Sequence, residues 1–389
     1  MPLQPFASTA LWLVGFRPFF ALAALAGVLL PVAWAAMYAG LLPAPPSLLP
    51  PVQWHAHEMF FGFGWAMLGG FLLTATKNWA RIRGVHGPAL ALLVLLWLVE
   101  RLVVSFGGAL PGWAFALGAN LYLPGVVGVL CWTLIRHRSA DAAPDNFLFL
   151  IVLPAFVVAK NLILSPEYFQ AGVAMTTGLF RVAFLMMLER TLGGFMQASF
   201  GIRIPLDPRI DMPIKGLAVV LVLAAWLPDG LAAALMVVLA ALLLWRLGRW
   251  SPLVALSRIE VGIMILGYLA IVLQLLADAW ARTFGPFGVG SVVVHLFSFG
   301  PMAFIIPAML VRISKGHTGR PVVFEAPDRA ALYLMLTGFL LRLVAPQVWP
   351  TAYSMWIGLA AACWAGCFGL LAWRFVPWYF APRVDGREH

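Results

Sequence analysis

The chain has 389 residues, 63% of them hydrophobic and only 10% charged, with a formal net charge of +10. An average soluble domain is about 25% charged, and no soluble surface disperses this much apolar side chain. The composition excludes soluble enzymes, disordered tails and disulfide-stapled secreted modules, and predicts an all-α integral membrane protein.

A spanning helix needs about 20 mainly apolar residues, and about twelve such runs can be marked off. In chain order they cover 19–39, 54–75, 88–106, 111–135, 146–164, 170–188, 214–228, 230–247, 260–280, 287–311, 329–346 and 350–376. The seventh and eighth meet at the turn Pro228-Asp229-Gly230, the weakest boundary. The runs predict one polytopic membrane domain, a single bundle over 1–389. An interfacial lead-in precedes it over 1–18, a cytoplasmic loop is expected over 189–213, and a cytoplasmic tail over 377–389. No cleavable signal sequence is recognised, and no internal repeat.

Lys and Arg sort by side. Alternate loops and both termini carry nearly all of them, whereas the other side has only Arg282. That asymmetry places both termini in the cytoplasm and predicts a multi-pass protein of a bacterial-type inner membrane. Because the basic residues lie in short loops between apolar runs, the charge does not point to nucleic acid. Cys131, Cys363 and Cys367 lie within apolar runs and form no CxxC pair, so they read as core residues. The motifs of soluble nucleotide-binding and hydrolytic enzymes are missing, as is the CxxCH of covalently bound haem.

Ionisable groups at membrane depth need a partner or a role. His55 and His57 open the second run in Gln53-Trp54-His55-Ala56-His57-Glu58-Met59. On a regular helix, residues two apart point about 200° away from each other. The two histidines therefore serve two sites, or one metal only where the backbone is not helical. Met59 shares a face with His55, and Glu58 is placed to orient it. Glycines at 62, 64, 69 and 70 suit close helix packing or a flat macrocycle. His295 lies inside the tenth run, and by topology it shares the outer half of the membrane with His55 and His57. Its bland reading is a histidine bonded to a nearby carbonyl or serine. Imidazole also ligates haem iron and copper. His317 follows His295 by roughly 33 Å of helix, on the cytoplasmic side, and reads as a second site or a loop-structuring residue. Glu100, Arg101, Lys160, Arg181 and Arg342 complete the membrane-depth set. Arg101 and Arg342 suit interface anchors that snorkel outward. Lys160 and Arg181 suit partners of a haem propionate or of a carboxylate such as Glu58 or Glu100.

At this point the chain resembles the NnrS family. The resemblance rests on Gln4-Pro5-Phe6, Ala10-Leu11-Trp12 and Gly15-Phe16-Arg17-Pro18-Phe19-Phe20. It continues in Trp54-His55-Ala56-His57-Glu58-Met59, Gly62-Phe63, Gly70-Phe71-Leu72-Leu73-Thr74-Ala75 and Asn78-Trp79. Further on, His295 leads into Arg312 and Gly316-His317-Thr318-Gly319-Arg320-Pro321, and the tail reads Pro382-Arg383-Val384-Asp385-Gly386. The resemblance implies a twelve-helix protein that binds non-covalent haem b and copper and is linked to nitric oxide defence and denitrification. It implies His55, His57, His295 and His317 as metal ligands, and Arg17, Glu58, Asn78 and Arg320 as site or support residues. One departure is visible: where the family carries a Gly-Arg-x-Ile-Pro-Phe-Phe-like stretch, this chain reads Glu189-Arg190-Thr191-Leu192-Gly193-Gly194-Phe195-Met196.

The expected function is action on nitric oxide at a His-ligated centre in the outer half of the membrane. His55, His57, His295, Met59, Arg17, Lys160 and Arg181 would surround the cofactor, with Glu58 and Glu100 as proton-handling groups and an electron donor of unknown identity. The alternatives are a haem-bound nitric oxide sensor or scavenger without turnover, and a transporter of copper or a small anion.

Overall fold

The computed structural model describes residues 9–138 and 144–387. The first eight residues of the expected lead-in, residues 139–143 and the last two residues, including His389, lie outside the described set. Among the described residues every regular element is helical. Ten helices are long and apolar enough to cross a membrane, or up to eleven when one bent pair is taken as a single span.

They are α1 (Phe16–Tyr38), α2 (Pro51–Ala80), α3 (Gly87–Ala109), the bent pair α4 (Gly112–Gly118) and α5 (Tyr122–Arg136), α6 (Asp145–Leu164) and α7 (Phe169–Phe200). After the shorter α8 (Pro208–Val220) come α9 (Asp229–Gly248), α10 (Ile259–Phe284), α11 (Val292–His317), α12 (Ala326–Val348) and α13 (Pro350–Tyr379). The seventh expected run falls on α8 and a following 3-10 stretch, Leu221–Trp226, which breaks at Leu223. That segment is not among the helices long and apolar enough to cross a membrane.

The helix boundaries have local causes. Pro51, Pro208 and Pro327 sit in first turns, where a missing N–H costs nothing. Asp207 caps α8 by accepting from the Arg209 N–H, and Glu325 with Asp328 closes a capping box on α12. The expected loop over 189–213 is corrected. α7 continues without interruption to Phe200, Gly201 turns the chain at φ 71°, and α8 begins at Pro208. The acidic residues at the two ends of this segment, Glu189 and Asp211, are paired. Glu189 lies 2.6 Å from Lys215 and 3.4 Å from Arg246, and Asp211 lies 3.2 Å from Arg246.

Three spans widen into π-helical turns, at Glu58–Gly64 in α2, Ser298–Met302 in α11 and Leu340–Val344 in α12. Two of them have a proline explanation. A proline ring clashes with the carbonyl four residues back. Pro301 and Pro346 direct that clash at Phe297 and Arg342, and a wider turn relieves it. The third has no proline and contains Gly62 and Gly64.

The chain packs as two compact units. One comprises Met1–Gly172, Leu310–Val323 and Phe368–His389; the other comprises Val173–Met309 and Phe324–Cys367. In the first unit, α1 and α2 pack through small residues. A Cβ on Gly27 would stand 2.8 Å from Phe368 Cγ and 3.1 Å from Phe63 Cε2. Gly128, by contrast, has nothing within 4 Å of its Cβ position. Gly27→Val should therefore cost about 1–3 kcal/mol by overpacking. Gly128→Ala should be neutral or stabilising by up to about 1 kcal/mol through helix propensity. Unfolding midpoints in detergent check both directions.

Candidate functional site

In the first unit the π turn of α2 carries the site. His57 and Glu58 are buried side by side, and His57 Nδ1 lies 3.1 Å from Glu58 Oε1. Since a carboxylate only accepts, Nδ1 carries the proton and donates it. That tautomer leaves the lone pair on Nε2, which is buried and has no hydrogen-bond partner in the protein. Glu58 Oε1 also accepts from Arg101 Nη1 at 2.6 Å. Arg101 Nη2 bonds Glu100, and Glu100 Oε1 lies 2.6 Å from Lys160 Nζ. The backbone N–H of Tyr122 donates to Glu100 Oε2 at 2.9 Å.

Two carboxylates and two cations thus cancel in a region closed to solvent, the most exposed of them Arg101 at 11%. Isolated, each charge would cost several kcal/mol to bury, so the chain holds only as a set. Its tightness explains Gly62, whose Cβ would stand 3.0 Å from both Arg101 Nη1 and Glu58 Oε2. The widened turn also leaves the Gly62 carbonyl to accept from Trp97 Nε1 at 3.2 Å. Gly69 and Gly70 are likewise packing positions, against Tyr122 and Phe19.

His55 points elsewhere. The backbone through Pro51–His57 is α-helical, and His55 stacks on Trp34 of α1 at 4.3 Å between ring centroids. The backbone at both histidines is helical, so His55 and His57 leave the helix in different directions. Glu58 orients His57, not His55 as expected from spacing, because the π turn begins at Glu58 itself. Met59 is half-buried on the same turn. Arg101 is no snorkelling anchor; it clamps both glutamates, and so the sequence reading undervalued it.

The second unit holds His295. Its Nδ1 lies 2.8 Å from the Ser291 carbonyl oxygen and 2.9 Å from the Ser291 hydroxyl. Arg342 Nη2 approaches Nε2 at 3.3 Å, while Arg342 Nη1 donates to the Tyr353 hydroxyl at 3.1 Å. Arg342 is thus turned inward, another correction to the anchor reading, because its π turn presents it to this polar group. Arg181 donates to Gln274 Oε1 at 2.7 Å and keeps two buried nitrogens without a hydrogen-bond partner.

His317 closes α11 in the first unit, with its ring 5.5 Å from that of Phe16. Its carbonyl accepts from Arg383 Nη1 at 2.9 Å, and Arg383 grips Asp385 through two bonds of 2.9 and 2.5 Å. Gly319 adopts φ 82° and lets Asp385 approach within 2.8 Å of its Cβ position. Arg17 is fully buried on α1 and donates to the carbonyls of Tyr379 and Ala381 at 2.9 and 2.7 Å.

Among the described residues no group of three or more His, Cys, Asp or Glu side chains could hold a metal ion. A haem needs one axial imidazole, and the oriented, unpartnered Nε2 of His57 has that chemistry.

Fold and site define a multi-pass helical membrane protein with a buried histidine poised on a four-charge network. The chain belongs to the NnrS family: the family model, described as NnrS protein, matches residues 10–383 and runs through the divergent segment. Membership makes it a membrane protein linked to nitric oxide stress. No curated protein matches it.

Two expectations follow. Glu100→Gln should lose about 3–5 kcal/mol by stranding Lys160, and adding Lys160→Met should recover much of that; unfolding midpoints of the single and double variants decide. At the tail, the Arg383 guanidinium holds the Asp385 carboxyl down to about 2. A depressed carboxylate stabilises above its unfolded value of about 4, and that contribution disappears as pH falls toward 2. Hydrogen-exchange protection over 380–387, measured against the intrinsic rate at each pH, should therefore fall across that window, and in Asp385→Asn it should already be low at neutral pH.

Proposed function

We propose that this protein binds haem b through His57 and acts on nitric oxide within the membrane. The observation that carries the reading is the His57 imidazole: buried, held in one tautomer by Glu58, and with Nε2 lacking any protein partner. Bound haem would supply an iron that takes nitric oxide as a ligand. The residues of this chain do the rest. Glu58 keeps the proton on Nδ1 and the lone pair on Nε2. Arg101 holds Glu58 in place, and Glu100 bridges Arg101 to Lys160. Glu58 and Glu100 are positioning residues here, since both are spent on ion pairs.

Depth suits the substrate. Nitric oxide is small and neutral and partitions into hydrocarbon, so a site without aqueous exposure is open to it. By the distribution of basic residues, the site lies in the outer half of a bacterial-type cytoplasmic membrane, with both termini inside. His295, tied to Ser291 and Arg342, is outside the proposed ligand set. Transport of a small anion is a second reading, favoured by Arg181 and its two unpartnered buried nitrogens.

The test is an absorption spectrum of the purified protein, produced with ample haem and recorded before and after dithionite. A Soret band that moves on adding nitric oxide, and is lost in His57→Ala but kept in His55→Ala, is the expected result. Stoichiometric binding marks a scavenger or sensor, whereas steady consumption with an electron donor marks a reductase. A colourless, folded wild-type protein would sink the reading.

A further inference from the structure

A second polar group in the first unit lies where four helices end or begin together, away from His57. Phe16, which opens α1, donates its N–H to Thr74 near the end of α2 at 3.0 Å. Its ring meets the rings of His317 at the end of α11 and Tyr379 at the end of α13, at 5.5 and 5.6 Å. The next residue is Arg17.

The guanidinium of Arg17 is divided between two tasks. Both bonds it makes leave from Nη1, to the carbonyls of Tyr379 and Ala381. The other edge, formed by Nε and Nη2, is buried and meets no acceptor in the protein. That edge is the two-pronged donor that matches two oxygens of one oxyanion. A buried charged donor left unpaired costs more than a neutral one, so its persistence calls for a partner.

The surroundings set the charge of that partner. Arg320 and Arg383 are close enough to repel Arg17. Arg383 is neutralised by its two bonds to Asp385. Arg320 is not: its guanidinium lies 4.0 Å above the Trp378 ring, and its Nη1 is buried without a partner. Arg17 and Arg320 therefore present two positive charges and three unused nitrogen donors. A carboxylate offers two oxygens in one plane, whereas a phosphate group presents its oxygens tetrahedrally toward donors on two side chains, with one negative charge as a diester and one to two as the free ion. The converging helix ends place the group at the edge of the spans, the level of lipid phosphates.

We infer that Arg17 and Arg320 form a binding site for a phosphate group, either a phospholipid headgroup or a free phosphate. The site is independent of the haem centre, and neither stands or falls with the other. Arg383, held by Asp385 and the His317 carbonyl, is its wall and not its ligand.

The test uses the full-length protein, stripped of lipid by extended detergent washing. Its unfolding midpoint is followed against inorganic phosphate, with chloride and acetate at equal ionic strength as controls. Phosphate should raise the midpoint where chloride and acetate do not. Arg17→Lys keeps the charge but loses the fork, and should weaken the apparent affinity by about tenfold or more, the equivalent of one charge-assisted hydrogen bond. Arg320→Ala, at a half-exposed position, should do the same and guards against misfolding at Arg17. A parallel titration with phosphatidylglycerol identifies the source. If the lipid stabilises and abolishes the response to phosphate, the site takes a headgroup; if the phosphate response survives lipid, it takes a soluble phosphate. The inference is overturned if phosphate acts no better than acetate, or if both variants respond like the wild type.

Discussion

Charge in hydrocarbon must be cancelled locally, because neither water nor salt reaches it. The chain Glu58–Arg101–Glu100–Lys160 meets that demand with two carboxylates and two cations within direct contact of one another. Much else in the first unit follows from it. Gly62 is small because the ion pair passes over it, the Tyr122 backbone is pinned by Glu100, and the His57 tautomer is set by Glu58. The second unit meets the same demand with Arg246, which contacts Glu189, Asp211 and the Tyr268 hydroxyl. In both units these networks draw charges from three helices, so helix packing and neutralisation are coupled.

Long apolar runs separated by basic loops were legible in the sequence because spanning length and loop charge are local properties. The helices α1, α2, α3 and α9 to α13 stand close to where hydropathy put them. What escaped was non-local. Arg101 and Arg342 looked like anchors because their partners lie on other helices, and no spacing rule connects residue 101 with residue 58. The stretch 189–213 looked like a loop because its charges read as solvated. Glu189 and Asp211 are instead paired across α7, α8 and α9. The divergence of His55 from His57 was anticipated by helical geometry. The π turn that gives Glu58 to His57 was not, since nothing in Glu58-Met59-Phe60-Phe61 announces a wider helix.

The π turns share a logic. Each sits at or beside a polar residue that must reach across to another helix: Glu58 itself, Arg342 itself, and His295 three residues before Ser298. A regular helix keeps its carbonyls engaged and its side chains on a fixed 100° step. An extra residue in one turn loosens both constraints locally without ending the span. A transmembrane helix can thus aim a charged side chain and still satisfy its backbone.

The contact between Arg17 and the carbonyls of Tyr379 and Ala381 joins positions 362 and 364 residues apart. In a chain made from its N-terminus, this arginine enters the bilayer with the first helix and meets those acceptors only after the last helix has been synthesised. Throughout elongation it must be held at the interface, by lipid headgroups or by the insertion machinery. Its final burial is therefore a late event in biogenesis, and a ribosome that stops short of the final helix releases a product whose first helix cannot settle.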